Sequence, residues 1–281
     1  MMQYNVMNPN WYWDLPTLPA GVVDISKANG TDDPNWSTAN VAKVNAQQQT
    51  YANLFLDLYQ PDILALNERF AEWNTFTANL TAKKGYAIVG TVPSGHTTNC
   101  NPILYKTSKF SLVKSGVYDF STTSIANTDN DTSGIRVMTW AILQSKTSGK
   151  KIAVFNMHLQ AGGIDDTNNT YRKNQAIAVA SQIKSILTQN AVSNVILTGD
   201  MNSLHNGTRN DSEAAIGSAY DELLSKLSGT TGITHAYTSS DTQIDHFAYI
   251  GCTINQKGTD ISNWTNYVSD HCPIYMDITL K

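Results

Sequence analysis

Short strand-like runs outnumber helix-length amphipathic stretches by about two to one in this chain, and the two kinds are interleaved along it. The helix-like stretches are Thr38 to Tyr59, Arg69 to Lys84, Arg172 to Gln189 and Ser218 to Leu227, each with apolar residues spaced near three and four. In the third, Ala176, Ile177, Ala180, Ile183 and Leu187 form the expected inward face. Strand-like runs cover Met2 to Val6, Asp62 to Leu66, Ala87 to Val92, Pro102 to Tyr105, Phe110 to Val117, Ile135 to Leu143, Lys151 to His158, Asn194 to Thr198, Gln243 to Ile250 and Pro273 to Leu280. Val195, Ile196 and Leu197 are continuously apolar, as in a strand buried on both faces, whereas most other runs alternate and call for cover on one face. This pattern points to an α/β protein built from two packed mixed sheets with helices outside, rather than a single doubly wound sheet.

With 281 residues the chain can bury a substantial core, and no repeat, charge block or long linker divides it. One domain over residues 1–281 is the expectation. Charged residues make up only 15%, below the roughly 25% of ordinary soluble domains, so Asn, Ser, Thr and Gln must wet the surface. That composition suits a secreted protein, and the absence of a basic-then-apolar leader before the first strand implies a signal peptide lying outside this sequence. No apolar run is long enough to span a membrane, and nothing calls for more than a monomer. A net charge of −4 excludes a strong global field toward polyanions; any such binding must rest on a local patch or on metal ions.

Three cysteines cannot all pair within one chain. Cys252 and Cys272 are the couple to expect if a bridge forms, and buried thiols are the equal alternative. The polar stretch Asn8 to Asn40 carries Trp11, Tyr12, Trp13 and Trp36, which either fold back onto the core or form a lip facing substrate or lipid.

Polar residues collect at strand ends. Asn5 closes the first run, Glu68 follows Asn67, His158 ends its strand, Asp200 and Asn202 follow Thr198 through Gly199, Asp245 lies in the Gln243 run, and Asp270 with His271 precedes the last strand. Singly, each is as readily a cap or turn residue. As a set they supply hard oxygen ligands without thiolate, which suits Mg²⁺, Mn²⁺ or Ca²⁺, together with two imidazoles for proton transfer. Asp200 and Asn202, two apart on an extended segment, should point to one side. His246 beside Asp245 should face the opposite way and be structural.

The residues Pro61 to Glu68, Arg136 with Thr139 and Trp140, Phe155 to Leu159, Thr198 to Ser203, Gln243 to His246 and Ser269 to Ile274, after Asn5, together resemble the ordered signature of the endonuclease/exonuclease/phosphatase superfamily. The resemblance implies a DNase I-like four-layer α/β/β/α sandwich of two mixed sheets flanked by helices. It also implies a divalent cation, Mg²⁺ foremost, held by Glu68 with Asn5 and Asp270, and a general base His271 oriented by Asp245. Asp200 and Asn202 would orient the nucleophile and phosphate or bind a second cation, and His158 would donate a hydrogen bond or proton toward the phosphate. Arg69 and Arg136 would reach neighbouring phosphates, and Asn67 would support the cluster from behind.

The activity so implied is phosphodiester hydrolysis, with nucleic acid as the leading substrate. A phospholipid headgroup is the alternative: Asn67 in place of the more usual Gln before the metal-binding Glu resembles bacterial sphingomyelinases, and Trp264 near Asp270 adds an aromatic. An inositol-polyphosphate phosphatase would need more Lys and Arg, and a non-catalytic binding module would ordinarily lack a ligand or the base.

Overall fold

The computed structural model describes residues 1–6, 38–69, 73–90, 100–120, 136–161, 166–206, 217–231, 234–235, 244–261, 269 and 271–281. In chain order the elements are β1 (Met2–Asn5), α1 (Thr38–Tyr59), β2 (Ile63–Asn67), α2 (Asn74–Lys84), β3 (Tyr86–Val89), β4 (Ile103–Lys106), β5 (Phe110–Asp119), β6 (Val137–Ser145), β7 (Lys151–His158), α3 (Asp166–Asn190), β8 (Asn194–Asp200), α4 (Ala219–Thr231), β9 (Thr234–His235), β10 (Asp245–Ile250), β11 (Thr253–Thr259) and β12 (Ile274–Thr279). The Trp11, Tyr12, Trp13 and Trp36 stretch, Trp264 and Asp270 lie outside the described residues.

Two six-stranded sheets form, in the orders β11-β12-β1-β2-β4-β3 and β5-β6-β7-β8-β10-β9. Each contains one parallel pair, β1 with β2 and β7 with β8, flanked by antiparallel neighbours. Three apolar clusters separate four layers. Ala52, Phe55 and Leu56 of α1 and Phe76 and Leu80 of α2 pack on Tyr4, Leu64 and Leu66. Ile63, Ile103, Val154, Ile196, Phe247 and Ile274 fill the space between the sheets. Val179, Ala180 and Ile183 of α3 and Tyr220 and Leu223 of α4 cover Phe155, Met157 and Leu197. Each fully buried Leu, Ile or Phe contributes roughly 1.5–3 kcal/mol, so these clusters hold the layers together.

This layering overturns the expectation of one-sided strands: β1, β2 and the first seven residues of β6 are buried throughout, because each sheet has helices on one face and the other sheet on its second. The inward face of α3 is Ala176, Val179, Ala180, Ile183 and Ile186, with Leu187 packed beside it; of the predicted stripe only Ile177 falls outside, 39% exposed. The polar, exposed edge strand β11 was not expected from the sequence: it pairs with β12 through its backbone and through Asn255, whose Nδ2 donates to Asp277 and Thr279, and it has no apolar row to betray it. Helix α2 begins at Asn74 rather than Arg69 and stops at Gly85, whose left-handed backbone (φ 72°) returns its N–H to the Leu80 carbonyl. No disulfide joins Cys252 and Cys272, so the expected bridge gives way to the alternative of reduced thiols.

Candidate active site

Side chains alternate across a strand, so every second residue of the inner strands faces the partner sheet. On β2 that row carries Ile63 and then Asn67; on β7, Ile152, Val154, Asn156 and His158; on β8, Ile196, Thr198 and Asp200; on β10, Phe247 and Asp245. Each row is apolar at one end and polar at the other. Registers bring the polar ends to one rim: Asn5 pairs with Asn67, His158 with Asp200, and Asp200 with Asp245.

Close strand approach at this rim requires a glycine. A Cβ on Gly199 (φ 139°) would sit 1.8 Å from the Met157 carbonyl oxygen. Glu68 (φ 55°) and Asn202 (φ 48°) also adopt left-handed backbone, which is uncommon outside glycine and concentrates at functional positions. Asp200 and Asn202 therefore meet by a turn rather than on an extended segment: the Asn202 N–H donates to Asp200 Oδ1 at 2.8 Å.

The cluster centres on Asn5. Its Nδ2 donates to Glu68 Oε1 and Asp200 Oδ2, both at 3.0 Å, and lies 3.4 Å from His271 Nε2. One amide with two hydrogens thus faces three acceptors, an electron-rich focus suited to a cation. Glu68, His158 and Asp200 offer ligand atoms within 4.8 Å of one another, as do Asp200, Asp245 and His271. The donor set is chiefly oxygen, which fits a hard divalent ion.

His271 is oriented from behind. Its Nδ1 bonds Asp245 Oδ2 at 2.5 Å, which places the proton on Nδ1 and turns Nε2 toward Asp200 Oδ2, 3.6 Å away. His158 is held differently: Asn202 Nδ2 donates to His158 Nε2 at 3.0 Å and to the Leu159 carbonyl at 3.3 Å. Burial, then the positive charge of Arg136, then His271 push the His158 imidazole well below its ordinary value, so it stands neutral. Burial likewise raises the Asp200 carboxyl to about 7, opposed by His271 and reinforced by Asp245.

Thus Asn5, Glu68, His158, Asp200, Asn202, Asp245 and His271 lie together at this rim. Arg136 is buried near enough to His158 for its charge to act there. Arg69, next to Glu68, donates from Nη2 to Thr77 Oγ1 of α2 at 2.8 Å. Asn67 stands behind the cluster, and the sequence reading passed over the amides that hold it, Gln3, Asn101 and Asn156. Asn67 Nδ2 donates to Asn101 Oδ1, Asn156 Oδ1 and the Met157 carbonyl, and Gln3 Nε2 reaches both Asn67 and Asp245. Their signal was an amide inside an apolar run, such as Asn156 between Phe155 and Met157.

No sequence-family profile and no curated protein matches this chain. Solved structures do match. ANGEL2, a 2′,3′-cyclic phosphatase seen with adenosine-2′,3′-vanadate, superposes with a TM-score of 0.67 over 99% of this chain and 94% of its own, at 17% identity. The human Nocturnin catalytic domain gives 0.65 over 100% and 93%, also at 17% identity. An endonuclease/exonuclease/phosphatase family protein from Bacteroides thetaiotaomicron gives 0.64 over 100% and 94%, at 18% identity. This is the DNase I-like fold. At such identities the likeness establishes the architecture, and in a DNase I-like fold the converged rim lies at the carboxyl ends of both parallel pairs, where crossover connections leave side chains free to gather.

Proposed function

We propose that the chain is a divalent-metal-dependent phosphodiesterase that hydrolyses nucleic acid by in-line attack of water on phosphorus. The observation that carries this reading is the Asp245–His271 pair, with imidazole Nε2 turned toward the focus shared by Asn5, Glu68 and Asp200. Glu68, with Asn5 and Asp270, would hold the cation, Mg²⁺ foremost; when bound, it neutralises charge developing on a phosphate oxygen. His271 takes the proton of the attacking water at Nε2, and Asp245 stabilises the resulting imidazolium through Nδ1. Asp200, fixed by the Asn202 N–H, orients the water. His158, positioned by Asn202, donates a hydrogen bond or proton toward the phosphate, and Arg136 adds positive charge beside it.

The adenosine-2′,3′-vanadate bound by ANGEL2 supports a nucleotide substrate on this fold. The low charge content supports an extracellular setting.

Hydrolysis of plasmid DNA, RNA and sphingomyelin with Mg²⁺, with and without chelator, tests the reading. The expected result is nucleic-acid cleavage that stops with chelator, returns with Mg²⁺ or Mn²⁺, and falls steeply in Glu68→Ala and His271→Ala. Undiminished cleavage by either variant would remove the assigned roles. Cleavage of sphingomyelin alone would transfer the site to a lipid headgroup, and no phosphoester hydrolysis would leave a binding module.

A further inference from the structure

The hydrogen-bond network behind the site has its orientations fixed from the backbone outward. The Asp200 N–H donates to Asn67 Oδ1 at 3.1 Å, so that atom is an oxygen. Gln3, which also approaches it at 2.8 Å, must therefore present Nε2 there rather than its carbonyl. The second hydrogen on Gln3 Nε2 then points at Asp245 Oδ1, 2.7 Å away. Flipping the Gln3 amide would set an oxygen against two acceptors.

Gln3 is fully buried, and its own Oε1 has no hydrogen-bond partner among the described residues. A buried carbonyl left in that state costs stability, so packing alone does not account for a glutamine here. Its donor end does. Asp245 has two oxygens: Oδ2 holds His271 Nδ1, and Oδ1 is held by Gln3. With both engaged the carboxylate cannot rotate, and its charge is stabilised by a donor that comes from the opposite sheet.

We propose that Gln3 is a positioning residue that locks the Asp245 carboxylate, and through it the His271 imidazole, by bridging Asn67 and Asp245 across the two sheets. This role rests on the phosphodiesterase reading, with His271 as base. Gln3 touches neither substrate nor cation; it sets the angle at which Nε2 meets the nucleophile. A hydrogen bond to a charged group is worth enough that its loss should lower the rate roughly tenfold to a hundredfold.

The test compares Gln3→Met, which keeps the shape and removes the donor, with Asn101→Leu, which cuts the same amide network where it does not touch Asp245. In histidine-¹⁵N-labelled protein, the downfield His271 Nδ1–H resonance of the wild type should be lost or moved upfield in Gln3→Met and kept in Asn101→Leu. With a chromogenic phosphodiester, Gln3→Met should lower kcat by the factor above and leave KM within about twofold. Should Gln3→Met not fold, Gln3→Leu removes the same two N–H donors with a shorter side chain, and the same pair of shifts is expected. A folded variant with the wild-type resonance and wild-type kcat overturns the proposal, as does an equal shift of the resonance in Asn101→Leu. If the wild type turns over no phosphoester, the functional reading fails, while the resonance still decides whether Gln3 governs the imidazole.

Discussion

The space between the two sheets is one interface with two unlike ends. At one end Ile63, Ile103, Val154, Ile196, Phe247 and Ile274 meet as a dry apolar cluster. At the other, the same inward rows continue as Gln3, Asn5, Asn67, Asn156, Asp200 and Asp245, all buried as deeply. The apolar end gains free energy from every carbon it removes from water. The polar end holds most of the groups it dehydrates with amides that bridge the sheets, and leaves Gln3 Oε1 without a partner among the described residues. Equal burial thus serves stability at one end and preorganisation at the other: dipoles fixed in a low-dielectric rim need not reorganise when charge develops on a substrate.

The difference can be broken by substitutions that act on one end only. The largest effect belongs to His271→Ala, which should lower kcat by about 10²- to 10⁴-fold, the usual worth of a general base, while thermal unfolding of the variant stays close to wild type. Steady-state kinetics beside a melting curve check both halves.

Phe247→Ala should do the reverse. Truncating this fully buried ring should cost about 3–5 kcal/mol of stability in urea unfolding, with the activity per folded molecule retained. A large kcat loss in folded protein would show that the two ends are not separable.

A third test concerns dehydration itself. His246 faces away from Asp245 and stacks on Tyr220 at 4.0 Å, with its Nε2 bonded to the Ser203 carbonyl at 2.7 Å. Burial lowers its value from 6.5 to about 4. The unfolded chain therefore takes up this proton first: the contribution is complete above about 6.5 and is lost as pH falls toward about 4, below which the native ring protonates too. At about 1.4 kcal/mol per unit the loss is on the order of 3 kcal/mol. Stability measured against pH should show this slope in wild type and a shallower one in His246→Phe; equal slopes would remove the assignment.

The smallest effect sharpens the comparison at the apolar end. Ile196→Val removes one methylene from a fully buried side chain and should cost about 0.5–1.5 kcal/mol without altering kcat.

Much of this was legible before folding. The strand ends at Asn5, Glu68, His158, Asp200 and Asp245 announced the rim because a polar residue closing an apolar row is conspicuous in one dimension. Ile177 misled because it lies at the margin of the buried stripe, and the packing of Val179 and Ile186 into the cluster with Phe155 and Leu197 leaves it outside. Strand β11 was silent because its side chains are mostly polar and exposed and leave no apolar alternation to read. Gln3 and Asn156 were silent for another reason: an amide's value lies in which partner it meets, and those partners stand 242 and 90 residues away, in Asp245 and Leu66.

The sequence by itself determined the local alternation, the rows, the glycine at 199 and the chemical character of the residues that close each strand, since these depend on covalent geometry and on neighbours in the chain. Tertiary structure decided which rows face each other, that Arg69 meets Thr77, and that three acceptors share one Asn5 amide. Those outcomes depend on register between strands from distant parts of the chain, and register is settled only when both faces of both sheets are packed at once.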